Sequence, residues 1–254
     1  MYAEERQQAI AGLVAQTGRV SVSELAERFS VTTETVRRDL SSLERAGLVR
    51  RVHGGVVPAN ALSLLELAVS DRDRSSAEQK DRIAAAAVEL VPEHGSVVLD
   101  AGTTTARLAS RLPSDQRLDV LTHAVPIAAR LAGQANLTLR LLPGRVRTTT
   151  QAAVGAETVE AIARLRTDVA FVGTNGISVE HGLSTPDHSE AAVKRAIVGG
   201  ARRVVLLADA DKIGKEHLVR FADVGEVHVL VTDDRATRDQ LEPFEKLGVE
   251  VRIA

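Results

Sequence analysis

The chain has 254 residues, enough for two domains, with a net charge of −2 and no cysteine, which excludes disulfides and Cys-ligated metal centres. Hydrophobic residues make up 44% and aromatics only 2%, so aliphatic side chains, chiefly Ala, Val and Leu, must fill the core. The near-neutral balance does not exclude a nucleic-acid partner, because a small basic surface in one domain can be offset by an acidic second domain.

The start, "MYAEERQQAIAGLV", carries charge where a signal peptide needs a longer apolar run. No later stretch reaches the roughly 18 consecutive apolar residues of a membrane span. A cytoplasmic protein without membrane contact is expected. A first helix is predicted over about residues 4–16, with Ile10, Leu13 and Val14 on one face and Gly18 at its end. Ser23 is the expected N-cap of a second, short helix whose Leu25, Ala26 and Phe29 face inward. Thr32 or Thr33 caps a third, in which Val36, Leu40 and Leu43 form the inner seam and Gly47 closes the helix. Its outward face then carries Thr33, Glu34, Thr35, Arg37 and Arg38 near the start. In a recognition helix that end meets base edges and phosphates in the major groove. "LVRRVHGGVV", ending at Val57, reads as a two-stranded ribbon with its tip at Gly54-Gly55. Arg50, Arg51, His53 and Gly54 there suit phosphate or minor-groove contacts. Periodicity alone also fits a three-helix cap with exposed arginines.

Residues 1–57 are therefore expected to form one domain and 58–76 a linker dense in small and polar residues. The linker's centre, "LSLLELAV", is apolar enough to pack against something. From residue 77 the pattern changes. The runs "SVVLDAG", "LDVLTH", "LTLRLLPG", "DVAFVGTNG", "RVVLLADAD", "EVHVLVTD" and "VEVRI" alternate with helical segments such as "TTARLASRL", "AVPIAARLAG", "AETVEAIARL", "SEAAVKRAIVGGA" and "ATRDQLEPFEKLG". Short apolar strands alternating with helices imply an α/β domain over 77–254, a mostly parallel sheet covered on both faces. Ligands of such sheets gather beyond the C-terminal strand ends.

Several polar motifs fall at those ends. "DAGTTT" offers Asp100, Gly102, Thr103, Thr104 and Thr105, whose backbone N–H groups and hydroxyls suit an anion such as phosphate. "LLPGRV" brings Gly144 and Arg145, and "FVGTNGIS" brings Gly173, Thr174, Asn175 and Gly176. Lys194 and Lys212 are within reach of an oxyanion, although solvated lysines are the usual alternative. Asp100 either accepts a ligand hydroxyl or braces the turn. The seven histidines show no metal-ligand spacing, and no metal or cofactor is expected.

"LAERFSVTTETVRRDLSSLERAGLVRRVHGGVV", with its "TVRRDL" and "HGG", resembles the winged helix-turn-helix of the DeoR family of bacterial transcriptional regulators. The resemblance puts Thr35, Arg37 and Arg38 on the DNA face, with Asp39 orienting an arginine. Residues 75 to 254 resemble that family's sensor domain, which is related in fold to ribose-5-phosphate isomerase. It implies a phosphorylated sugar or polyol as effector, with "DAGTTT" as the phosphate loop and "GTNG" with Lys194 facing the sugar. Lys212, Asp209 and Asp211 then border the same cleft. The implied function is a DNA-binding regulator, a repressor of a sugar-utilisation operon acting as a homo-oligomer on a double-stranded operator. Similarity to regulators of fructose operons makes fructose 1-phosphate the first candidate. The competing reading is a sugar-phosphate isomerase with a regulatory N-terminal domain. Isomerisation needs a carboxylate base, and Thr174 and Asn175 stand where the related isomerases carry acidic residues. Asp187, His188 and Glu190 are the nearest titratable groups. No enzymatic activity is expected.

Overall fold

The computed structural model describes residues 3–17, 20–52, 55–58 and 69–254. Gly18, His53, Gly54 and residues 62–68 of "LSLLELAV" lie outside the described residues, and of Arg50 only the backbone is described. The chain divides into two compact units, residues 1–62 and 63–254.

In the first unit, helix α1 (Ala3–Thr17) is followed by strand β1 (Val20–Ser21), helix α2 (Val22–Arg28) and helix α3 (Thr33–Arg45). Strands β2 (Val49–Val52) and β3 (Gly55–Pro58) complete it. Ile10, Val14, Leu25, Val36, Leu40 and Val56 are fully buried in its core. The cap of α2 is Ser21, not Ser23: Ser21 accepts from the Glu24 N–H and the Glu24 carboxylate accepts from the Ser21 N–H. That reciprocal pair satisfies two otherwise orphaned donors, which Ser23, inside the first turn, cannot do. Thr32 caps α3. At the other end Gly47 has φ +68°, its N–H bonds Glu44 O, and Leu48 N–H reaches back to Leu43 O. This closure needs a left-handed residue, and glycine adopts it at least cost.

The ribbon is three-stranded rather than two-stranded, in the order β1-β3-β2. β1 is too short for periodicity to reveal. Gly55 is the first residue of β3, paired with both Val52 and Ser21, rather than part of the tip. An added Cβ there would sit 2.5 Å from the Val20 carbonyl oxygen, so this glycine permits close strand approach.

The second unit begins with helices α4 (Val69–Arg74) and α5 (Ala77–Ala87), then strand β4 (His94–Leu99), helix α6 (Thr103–Ala109), strand β5 (Arg117–Thr122) and helix α7 (Val125–Leu131). Strand β6 (Leu137–Leu141), the hairpin β7 (Arg145–Arg147) and β8 (Ala152–Val154), helix α8 (Ala156–Ala163) and strand β9 (Thr167–Gly173) follow. Next come β10 (Gly176–Ser178), β11 (Gly182–Thr185), helix α9 (His188–Gly200), β12 (Ala201–Leu207), β13 (Val219–Ala222), β14 (Val229–Thr232), helix α10 (Arg238–Lys246) and β15 (Glu250–Ile253).

Seven strands form one parallel sheet in the order β15-β14-β12-β9-β4-β5-β6. Side chains alternate across it. Val97, Leu99, Phe171, Val205 and Val231 pack on one face with residues of α5, α6 and α7. Val98, Ala170, Val172, Leu206 and Leu230 pack on the other with residues of α8, α9 and α10. The chain builds outward from β4 to β6 on one side and then returns to place β9 against the other side of β4. The loops after β4 and β9 thus part at a topological switch point, where a crevice opens beyond the strand ends.

Candidate functional site

The crevice at that switch point encloses about 500 Å³, including space open to solvent. Gly102, Thr103, Thr104 and Thr105 line it from the start of α6, and Gly173, Thr174 and Asn175 from the end of β9. Lys194 of α9 and Lys212, in the loop after β12, line it too. Eight of the expected effector residues therefore meet here. Helix geometry leaves the first N–H groups of α6 without intrahelical partners. The Thr105 hydroxyl is spent on Gly102 O at 3.0 Å. Thr174 is spent as well, donating to the carbonyls of Gly176 and Ser184. Asn175 accepts the Thr185 hydroxyl on its Oδ1, which leaves its NH₂ group for the cleft.

Asp100 does not line the cleft. It is fully buried beneath it, where its Oδ2 accepts from the Gly173 N–H at 2.9 Å and from Lys194 Nζ. Its Oδ1 lies 3.0 Å from His123 Nε2. Burial alone would raise this carboxyl, but the Lys194 charge and the His123 hydrogen bond outweigh it and hold the pKa at about 2. The carboxylate fastens the β4 and β9 loops to α9, which is the bracing role. Lys194 is correspondingly occupied: it also donates to Gly173 O at 2.9 Å and lies over the Phe221 ring.

Gly144 and Arg145 also fall outside the cleft lining. They follow β6, the edge strand two places from β4, about 10 Å away at ordinary strand spacing. Gly144, at φ +134°, has no room for a side chain against Thr158 and the Val154 backbone, and Arg145 is exposed. Asp211 is exposed and pairs with Arg235. Asp187 caps α9 and, with Glu190, takes the Arg147 guanidinium. His188 is exposed at the start of α9.

Two charged cleft residues escaped the sequence reading, Lys80 and Arg72. Lys80 had a signal. It stands with Ile83, Ala84 and Ala87 on the buried stripe of α5, and a lysine at an apolar helix position needs a reason. Burial lowers its pKa to about 8, against Asp209 and with the repulsion of Lys212, Arg107 and Arg72. Burial lowers Lys212 too, opposed by Asp209 and helped by Lys215 and Arg72. Lys80 and Lys212 thus share one buried carboxylate, Asp209, and Arg72 adds positive charge beside both. On the α9 side, by contrast, Lys194 is matched by Asp100 and Glu190 by Arg147. The cleft has one wall with surplus positive charge and one wall in balance.

In the first unit, Thr33, Glu34, Arg37 and Arg38 are exposed on the first two turns of α3. Glu34 reaches both arginines, at 3.7 and 3.8 Å, too loosely to fix them. Thr35 is half-buried and shares in the cap, its hydroxyl 3.0 Å from that of Thr32. Asp39 holds an arginine, but it is Arg6 of α1, at 2.6 Å, with Gln7 as a second donor. Arg51 is exposed on β2 beside α3, bonded to Ser41 Oγ.

A three-helix unit with a β wing, joined to an α/β unit with a cleft at its switch point, is the plan of a two-part regulator with a DNA-binding domain and a sensor domain. Residues 6–61 match the DeoR-like helix-turn-helix domain and residues 75–234 the DeoR C-terminal sensor domain. The chain is 36% identical over 251 residues to the HTH-type transcriptional regulator GlpR of Haloferax volcanii, covering 99% of this chain and 98% of that one. It is 32% identical over 229 residues to the glycerol-3-phosphate regulon repressor of Escherichia coli, covering 90% of each. The ribose 5-phosphate isomerase A of Methanocaldococcus jannaschii aligns at a TM-score of 0.41 with 17% identity, over 54% of this chain and 55% of that one. The chain belongs to the DeoR family and is a DNA-binding transcriptional regulator, not an isomerase. Among the described residues no helix is long and apolar enough to cross a membrane.

Proposed function

We propose that this regulator represses a sugar-utilisation operon in the cytoplasm, and that a phosphorylated sugar or polyol in the cleft sets its operator affinity. We take residues 1–57 as the DNA-binding domain, 58–76 as the connection and 77–254 as the sensor. The observation that carries the reading is the surplus positive charge of Lys80, Lys212 and Arg72 beside the open N–H groups of Thr103 and Thr104. A phosphate dianion supplies the missing charge. The hydroxyl-bearing remainder then lies toward Gly173, Asn175 and Lys194, where charges are balanced and an amide donor is free. Thr33, Thr35, Arg37, Arg38 and Arg51 form the DNA face, and Arg50, His53 and Gly54 are further candidates on sequence alone.

Fructose 1-phosphate is the first candidate. Glycerol 3-phosphate joins it, being named for the E. coli relative. A ligand acts on the operator only through different affinities for the DNA-competent and DNA-incompetent states. The test is a thermal-shift panel of phosphate esters and their parent sugars. Stabilisation by an ester and none by its parent supports the reading; equal stabilisation by both removes the anion site.

A further inference from the structure

The guanidinium of Arg72 lines the cleft, yet among the described residues its side chain makes no hydrogen bond or ion pair, and its Nε is buried without a partner. It stands close enough to Lys80 and Lys212 to repel both. An unpaired guanidinium held among like charges is costly unless an anion joins it.

Arg72 belongs to α4, the first described element of the second unit. Polar ties hold this helix to its neighbours in the second unit. Val69 N–H donates to Thr149 O, and Arg107 of α6 pairs with Asp73 and donates to its carbonyl at 3.1 Å. Lys80 Nζ donates to the carbonyls of Arg72 and Ser75, at the C-terminal end of α4, where a cation suits the exposed carbonyls. An ammonium has three protons. Two serve α4, and one is left for the cleft.

We propose that Arg72 is an effector-binding residue, and that an anion in the cleft orders α4 by gripping it through Arg72 and Lys80. The proposal rests on the reading of the cleft as an anion site. An oxyanion bridging Arg72, Lys80 and the Thr103–Thr104 amides ties α4 to α6, replacing repulsion by shared attraction. α4 is then held more firmly with the anion bound than without it.

Hydrogen exchange of the full-length protein, with saturating inorganic phosphate against chloride at equal ionic strength, tests this. Phosphate is expected to slow exchange both at residues 101–107 and at 69–76, by about fivefold or more. Arg72→Gln should lose the slowing at 69–76 and keep it at 101–107, and Arg72→Lys, which retains charge without the planar fork, should recover part of it. Slowing confined to 101–107 in the wild type, or persisting at 69–76 in Arg72→Gln, overturns the proposal and leaves the anion site standing. No slowing at either segment overturns both.

Discussion

Asp100 and Lys194 are both buried, and each is tolerable only because of the other. Removing one charge from a buried pair leaves the other desolvated and alone, which costs about 3 kcal/mol or more, whereas replacing both by neutral groups costs much less. Asp100→Asn is therefore expected to destabilise the second unit strongly. The double variant with Lys194→Met should recover most of the loss in thermal melts, and additive losses would refute the coupling. Lys80 gives a pH signature of the opposite kind. Its pKa falls from 10.5 toward about 8 on folding, so between those values the unfolded chain binds the extra proton. Stability contributed by this group therefore rises with pH through that window. An anion beside Lys80 favours its charged form. Ester binding near pH 8.5 should thus take up protons and weaken as pH rises further, while below about pH 6 the phosphate itself loses charge. Calorimetry in buffers of different ionisation enthalpy reads the uptake directly; a binding enthalpy independent of buffer would exclude Lys80 from the site.

At the scale of elements, the recognition helix is set by a polar contact as much as by its seam. Asp39 lies on the same buried stripe as Val36, Leu40 and Leu43 and is held by Arg6 of α1, which leaves Arg37 and Arg38 on the outside. Arg37→Ala is expected to weaken operator binding by about 1–3 kcal/mol if the guanidinium reads a base, and an unchanged shift-assay affinity would remove it from the interface. The helix was legible because the Thr32–Thr33 pair, the apolar spacing and Gly47 agree on its limits to within one residue. The seven sheet strands were legible for a similar reason, as short apolar runs, five of which end in Gly or Asp. What escaped is what periodicity does not encode. β1, β7, β8, β10 and β11 are two to four residues long, too short to show a period. α5 hid in an Ala-rich stretch with a lysine on its buried side, and α4 in a segment read as linker. Strand order is not written in any strand, so "LLPGRV" looked like a cleft loop until β6 proved to be the edge. The sequence leaves Asp100 between a ligand contact and a brace, because its partners stand after β5, on β9 and on α9, remote in sequence.

For the whole molecule, the question is how so small a reading surface finds one address. A single α3 with its wing reaches only a few base pairs, and each mismatched pair costs about 1–3 kcal/mol, too little to reject a genome of competing sites. Two linked copies multiply the discrimination, because the second contact is made at high effective concentration. The protein is therefore expected to be at least a dimer at micromolar concentration by light scattering. Its half-sites should be spaced by about 10 base pairs or a multiple, so that both lie on one face of the duplex. Inserting about 5 base pairs between half-sites turns one of them to the opposite face and should lower affinity by about tenfold or more, whereas inserting a full turn of about 10 should cost less. Equal affinity for both insertions, or a monomer in solution, would mean that each copy reads DNA alone. The sensor would then have to act on the grip of one module rather than on the spacing of two.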